Sequence, residues 1–455
     1  MKKIAILAAA MTILAACTTK APEDTVLHFE VENMTASQIA VLLDRTTNYM
    51  VDLDKNGKGK LVFSGDDLKG AIYPNIAYGQ EMMPVYVGAG EEVTIRFSSE
   101  RFHDEVLVEG KNSAASAYLQ SVIYPEIMEY NLDFPAFKQK VEDAFNATLQ
   151  FMKDRQLEKT CPDFATIEKE RLTYLFAQSY IMYPMGYAMM NELEDYVPEK
   201  AYFETISELV VEKPELADVD AYRAFIQFAV PIVLEQEGEN FTNGYERTLA
   251  TMKYIAGRWQ DPILKQKMLR MLAIDHIQNV GVSKTDELQK LVKAYVTNPL
   301  FLQEFQQVFE ENNPVANGKI SPDFSAQDLE GKHHSLADFL GKYVYIDLWA
   351  TWCGPCRAEL PHLKELEAQF EGKNIQFVGL NVDEKLDDWK DFLSKNELSG
   401  TQLWLGKESS FLEDYAVRGI PRFILLDKEG RILHSNMLRP SSEDTGKMLS
   451  GLEGI

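Results

Sequence analysis

The stretch DLWATWCGPCRAELPHL, residues 347–363, sets two cysteines three positions apart where an apolar run gives way to a helix-forming one. The overlapping YVYIDLWA, residues 343–350, is β-rich and reads as a strand that ends near Ala350. Pro355 suits the first turn of a helix, because the N–H it lacks would have no intrahelical partner there. Cys353 then stands at the helix mouth and Cys356 one turn inside. Residues three apart in a helical turn have Cα atoms about 5 Å apart, within the range a disulfide tolerates. The pair can therefore open and close with little backbone movement. Unpaired N–H groups and the helix dipole stabilise an anion at the N-terminus, which makes Cys353 the nucleophile and leaves the shielded Cys356 a thiol until it is needed. The implied cycle is attack by the Cys353 thiolate on a client disulfide, a mixed disulfide, and its displacement by Cys356. A purely structural bridge here would close a very short loop and stabilise little. A structural zinc site needs four ligands, and of the chain's four cysteines the other two, Cys17 and Cys161, are remote in sequence. The reading is redox chemistry with no metal and no cofactor.

Strand and helix patterns alternate around this pair. Apolar β-rich runs fall at Tyr343–Leu348, Ile375–Leu380, Leu403–Leu405 and Phe423–Leu426 with helical patterns between them, which predicts an α/β domain with a partly parallel sheet over 319–455. Before it, ENNPVANGK (311–319) is Asn, Pro and Gly punctuation, read as a linker over 312–318. Residues 112–311 read as an all-helical domain. In DELQKLVKAYV, for example, Leu288, Leu291, Val292, Tyr295 and Val296 recur at helical spacing, with Ser283 and Asp286 as a start signal and Asn298-Pro299 as a stop. Leu172, Leu175 and Phe176 mark a similar face. Residues 26–111 have β texture: VTIRF (93–97) alternates with period two, while VYVGAGEEV and VDLDKNGKGKLVF look like strand, turn, strand. A small antiparallel domain, a sandwich of two sheets, is the expectation.

A chain of 455 residues with 46 basic and 70 acidic side chains carries a formal charge of −24, which argues against electrostatic binding to nucleic acid or anionic lipid. The N-terminus, MKKIAILAAAMTILAACTTK, has two lysines and then the apolar run Ile4–Ala16, shorter than the roughly 20 residues a membrane-crossing helix needs. Leu14-Ala15-Ala16-Cys17 resembles the bacterial lipobox, which implies cleavage before Cys17 and lipid on its sulfur. Residues 18–25 would be a tether. The expected location is the bacterial cell envelope, lipid-anchored and facing the periplasm, a compartment where thiol–disulfide chemistry is at home.

WCGPC after an apolar strand is the thioredoxin active-site motif. With SPDFSAQDLEGK and RGIPRFILLDKEGRI, the stretch from about Lys319 onward resembles the extracytoplasmic thioredoxins of the TlpA and ResA type. The resemblance implies a thioredoxin fold and roles for residues by position. Asp347 matches the buried carboxylate that takes the proton of the second cysteine. Glu359 matches a glutamate near the dithiol in the ResA branch. Pro361 should kink the helix. Trp352, Gly354 and Pro355 should flank the disulfide as client contacts, and Ile420-Pro421 matches the cis-proline that offers backbone to the client. Arg422 departs from the family, where threonine commonly follows that proline; if its charge points at Cys353, it favours the thiolate or selects acidic clients. Gly354-Pro355 is the dipeptide of reducing thioredoxins, which implies reduction or isomerisation of client disulfides and a membrane thiol-electron donor to supply electrons.

Other motifs carry less. DLDKNG (52–57) imitates an EF-hand start, but Phe63 stands where the loop wants Glu, so a turn is expected. VGAGEEV lacks the rest of a dinucleotide loop, and His333-His334 reads as a polar hairpin. Cys161 is expected to be buried, and the methionines and aromatics of YIMYPMGYAMM to be core. Two functions stand: a lipid-tethered thiol–disulfide oxidoreductase, or an envelope lipoprotein whose β and helical domains bind a ligand or partner with accessory redox activity. The intact dithiol with Asp347 favours the first.

Overall fold

The computed structural model describes residues 23–43, 48–65, 68, 70–79, 81–102, 106–194, 196–396, 398 and 400–455. Cys17 and the expected leader lie outside the described residues. The chain divides into two compact units, Met1–Glu192 with Asp218–Tyr222, and Leu193–Ala217 with Arg223–Ile455.

In the first unit the strands are β1 (Thr25–Glu32), β2 (Gln38–Leu42), β3 (Asn48–Asp52), β4 (Lys58–Phe63), β5 (Asn75–Tyr78), β6 (Glu81–Pro84), β7 (Glu92–Ser98) and β8 (Leu107–Glu109). They form two four-stranded sheets, ordered β4-β1-β7-β8 and β3-β2-β5-β6. Leu27, Phe29 and Ile95 of the first sheet share one core with Ile39, Val41 and Ile76 of the second. The period-two burial of β1 follows from this, since only alternate side chains reach that core. The expectation of a wholly antiparallel domain needs one correction. β1 and β7 run parallel, Leu27 opposite Val93, because the chain has passed through the second sheet between them instead of returning by a hairpin. The turn at Asp54 joins strands of different sheets, and Asp54 Oδ1 accepts the N–H groups of Asn56 and Lys58 at 2.8 and 2.9 Å. The calcium-loop imitation is thus a turn closed by its own backbone.

Four helices follow: α1 (Ser113–Ser121), α2 (Phe134–Asp154), α3 (Leu157–Thr160) and α4 (Pro162–Met190). Cys161 is buried, as expected, in a cluster with Tyr118, Met152 and Phe164. The core reading of YIMYPMGYAMM holds for one face of α4 only. Tyr180 and Tyr183, three apart, are buried against Phe134 of α2, whereas Met182, Met185, Met189 and Met190 on the remaining surface are exposed.

The second unit contains α5 (Lys200–Leu209), most of α6 (Asp220–Gln236), α7 (Gly244–Arg258), α8 (Pro262–Asn279), α9 (Asp286–Tyr295) and α10 (Pro299–Asn312). On α9 the stripe read from sequence buries Leu288 and Val292, with Val296 just beyond, while Tyr295 is exposed. Thr285 rather than Ser283 holds the N-cap position, and Ser283 Oγ instead accepts the Asn317 N–H at 2.9 Å. Asn298-Pro299 starts a helix as well as ending one: Asn298 Oδ1 accepts from Leu300 N at 2.8 Å, and Pro299 fills the first position of α10.

On α8, His276 is buried beside Tyr245, with neither ring nitrogen hydrogen-bonded, and burial pushes its pKa from 6.5 down to about 4. Between those values the unfolded chain binds a proton that the folded chain refuses. Stability therefore falls as pH drops through the window, by about 3 kcal/mol in all. His276→Leu should flatten that part of the stability curve, read from urea midpoints at pH 7 and pH 4.5; an unchanged acid slope would assign the loss to other groups.

The rest of the second unit alternates strand and helix: β9 (Ala326–Gln327), β10 (His333–His334), β11 (Tyr343–Trp349), α11 (Gly354–Gln369), β12 (Ile375–Asn381), α12 (Leu386–Lys395), β13 (Thr401–Trp404), α13 (Ser410–Asp414), β14 (Arg422–Leu426), β15 (Ile432–Met437) and α14 (Glu443–Ser450). The seven-stranded sheet is ordered β10-β9-β13-β12-β11-β14-β15, with β11–β12 and β12–β13 parallel and β11–β14 antiparallel. β11 is central and buried along its whole length, which is why its sequence is apolar apart from Asp347. Its Val344, Ile346 and Leu348 face one core with Trp389 of α12 and Phe411 of α13. Tyr343 and Tyr345 face the other, with Leu363 and Leu366 of α11 and Leu449 of α14. Val315, in the punctuated stretch 312–318, is buried in the first of these cores. His333-His334 lies in the expected polar hairpin, where His334 Nε2 meets Asp328 Oδ2 at 2.8 Å.

Candidate active site

β11 ends at Trp349, and the chain enters α11 through Ala350, Thr351, Trp352 and Cys353. Cys353 is the N-cap and the helix begins at Gly354, with Pro355 in its first turn. The two sulfurs are joined in a disulfide, with Cα atoms 5.3 Å apart. Cys353 Sγ also accepts the Cys356 N–H at 3.2 Å, so one otherwise unpaired helix N–H is aimed at the sulfur itself. Trp352 is 69% exposed, while Cys353 and Cys356 are 4% and 2% exposed. The Ile420-Pro421 peptide is cis, and the Ile420 carbonyl oxygen lies 3.8 Å from Cys353 Sγ. The structure thus gathers Trp352, Gly354, Pro355, Ile420 and Pro421 around one sulfur. Pro361 lies inside α11.

Alternation along β11 puts Asp347 on the face of Tyr343 and Tyr345, the face that α11 covers. The carboxylate is 4% exposed, and its Oδ1 has no hydrogen-bond partner. Burial, then the negative charges of Glu359 and Glu367 on α11, push its pKa from 3.8 up to about 8. Across the sheet Asp347 pairs with Gly379 of β12, where a Cβ would sit 2.3 Å from the Gln402 side-chain oxygen. Glycine there makes room for Gln402 beside the acid.

Glu359 is buried too, at 6% exposure, but it is fully engaged. Its Oε2 accepts the Ser441 N–H at 3.0 Å, its Oε1 accepts the Ser441 hydroxyl at 2.9 Å, and Arg439 stands 3.7 Å away. Glu359 therefore acts on Asp347 as a fixed charge. Glu359→Gln should lower the Asp347 pKa by roughly half to one unit, measured by carbon-13 titration of the carboxyl; an unmoved midpoint would leave burial as the whole cause.

Sequence reading missed Asp383. Its carboxylate, 1% exposed, accepts the Thr351 N–H at 3.1 Å and the Asn381 side-chain amide at 3.0 Å, and its own carbonyl accepts the Trp404 indole N–H at 3.0 Å. The network pins the loop that presents Cys353. The available signal was NVD at the end of an apolar strand, where two polar residues next to a buried run need internal partners. Arg422 is buried, and its Nε donates to the Ser435 carbonyl of β15 at 2.8 Å. That burial lowers its pKa to about 10.

No three His, Cys, Asp or Glu side chains among the described residues gather as metal ligands. The geometry defines a thioredoxin-like domain carrying a closed dithiol at a helix N-terminus. Residues 316–450 match the family model described as Redoxin. Over 129 residues the chain is 33% identical to the thiol-disulfide oxidoreductase ResA of Bacillus cereus (strain ATCC 10987 / NRS 248), covering 28% of this chain and 74% of the relative. It is 27% identical to ResA of Bacillus subtilis (strain 168) over 28% of this chain and 72% of the relative. Among solved structures, the thioredoxin domain of a thiol-disulfide oxidoreductase from Bacteroides vulgatus is 33% identical and matches 30% of this chain and 96% of its own, with a TM-score of 0.28. The chain belongs to the TlpA/ResA-like thioredoxin family, and its activity is that of a thiol–disulfide oxidoreductase.

Proposed function

We propose that this protein reduces or isomerises disulfides of client proteins in the bacterial cell envelope, with Cys353 as nucleophile and Cys356 as resolving thiol. The observation that carries the reading is a sulfur at a helix N-cap, with a second sulfur in bonding reach and an exposed tryptophan beside it. In the reducing direction the Cys353 thiolate attacks one sulfur of the client disulfide and the other leaves as a thiolate. Cys356 then attacks Cys353, passing its proton to Asp347, and the second client sulfur departs. Two electrons move from the dithiol to the client, whose two sulfurs leave as thiolates and take their protons from solvent, while the one proton of Cys356 ends on Asp347. In this reading a membrane thiol donor restores the electrons, in keeping with the Gly354-Pro355 dipeptide of reducing thioredoxins.

Trp352, Gly354, Pro355, Ile420 and Pro421 form the client's contact surface, with the Ile420 carbonyl available to pair with extended client backbone. Glu359 tunes Asp347. The lysines, apolar run and Cys17 support export and lipid attachment, and no described helix is long and apolar enough to cross a membrane. The test is capture. Cys356→Ser should accumulate client proteins as mixed disulfides on Cys353 that are released by reductant; a variant that captures nothing from envelope extracts, while wild type turns over no protein disulfide, would end the proposal.

A further inference from the structure

A cavity of about 860 Å³ runs along α11, beginning at Gly354 between the two cysteines. Arg357, Pro361 and Lys364 fall at helical spacing on the face of α11 that forms one wall. The opposite wall includes Phe392 and Lys395 of α12 and Leu398 after it. Three cations therefore line the cavity, and no described carboxylate does. This is the reverse of the chain as a whole, in which acidic side chains outnumber basic ones 70 to 46. None of the three makes an ion pair with another described residue. The volume lies within the range of binding clefts, roughly 300–1,000 Å³.

We infer that this groove docks the polypeptide flanking a client's disulfide and selects flanks that combine acidic with apolar residues. The inference rests on the thiol–disulfide reading and names the class of client that reading leaves open. Position supports it: a client cysteine held at Cys353 Sγ places its neighbouring residues at the Gly354 end of the groove. Charge supports it as well. An acidic flank would be repelled by most of this protein's surface, and the groove is where it is received. The apolar side chains of Leu360, Phe392 and Leu398 supply burial between the cations. A second copy of this chain is a poorer occupant, since both copies carry −24.

The experiment uses the reduced full chain with three substrates: a disulfide peptide with a Glu/Leu flank, the same peptide with a Lys/Leu flank, and 2-hydroxyethyl disulfide, which has no flank. Wild type should favour the acidic over the basic peptide by about tenfold in kcat/KM, and the preference should shrink as ionic strength rises. Lys364→Glu with Lys395→Glu should abolish or invert the ratio, and the milder pair Lys364→Gln with Lys395→Gln should reduce it severalfold. Turnover of 2-hydroxyethyl disulfide by each variant reports that the dithiol is intact. Equal use of both peptides by wild type, or a preference that survives both double variants, would overturn the groove assignment while leaving the oxidoreductase reading in place. Failure of wild type on all three substrates would overturn both.

Discussion

Cys353→Ser should lower the turnover of a protein disulfide by on the order of 10⁴-fold, the scale on which loss of a covalent nucleophile is felt. Serine can occupy the N-cap and accept the Cys356 N–H as well as sulfur does, so the fold is expected to survive. What disappears is the covalent step, because an alkoxide does not form at neutral pH and oxygen cannot stand in one half of a disulfide. Cys356 is a poor substitute, being 2% exposed and one turn inside α11. Cys161 is buried among Tyr118, Met152 and Phe164 and is no nearer a client. The contrast with Cys356→Ser sharpens the expectation. That variant keeps the first attack and loses release, so it should show one fast burst of about one thiol per enzyme followed by arrest. Assaying both variants against the same protein disulfide, with thiol release followed in time, separates the steps. A Cys353→Ser protein that keeps a tenth of the wild-type rate would place the nucleophile elsewhere.

The dithiol and its strand were legible because their signals are local. A strand buried on both faces is apolar nearly throughout, so Tyr343–Leu348 was visible in the sequence even with Asp347 in it. Pro355 between the cysteines marked the helix start. The position of Asp347 followed from the family motif, but its environment did not, because the charges that act on it, Glu359 and Glu367, reach it only after α11 packs on the sheet. The partners of Asp383 and Ser441 were illegible for the same reason: each acts on a residue more than thirty positions away, through a hydrogen bond that only the tertiary fold creates. β15 was missed because ILHSNM mixes polar residues into a strand that lies at the sheet edge. In the first unit the alternation of VTIRF gave β7 its faces. Which strand it pairs with, and in which direction, depends on where the chain travels between residues 32 and 92. Local pattern carries no such information. The methionines of α4 show the converse error, since apolar composition was read as burial where one helix face stays in solvent.

Asp347→Asn should make the protein more stable and less active, two effects of opposite sign from one atom pair. The fold raises the carboxyl from 3.8 to about 8, so between those pH values the folded chain retains a proton that the unfolded chain has released. Stability is fully present below about pH 4 and is lost as pH rises through 8; by pH 7 the loss is on the order of 4 kcal/mol. Asparagine has nearly the same shape and no charge to desolvate. Guanidinium midpoints for the unit that holds Asp347 should rise at pH 8 relative to wild type and converge with it near pH 4. Activity should move the other way. An acid with a pKa near 8 is mostly protonated at pH 7, so resolution by Cys356 should quicken with pH and level off above 8. The asparagine variant should lose that rise and fall about 10²-fold below the plateau, the usual contribution of a positioned base. Rapid-mixing of preformed mixed disulfide across pH 6 to 9 measures it. A variant that resolves as fast as wild type would reduce Asp347 to a buried charge with no part in proton transfer. One that gains no stability at pH 8 would mean that the carboxylate reaches water by a route the packing of α11 does not reveal.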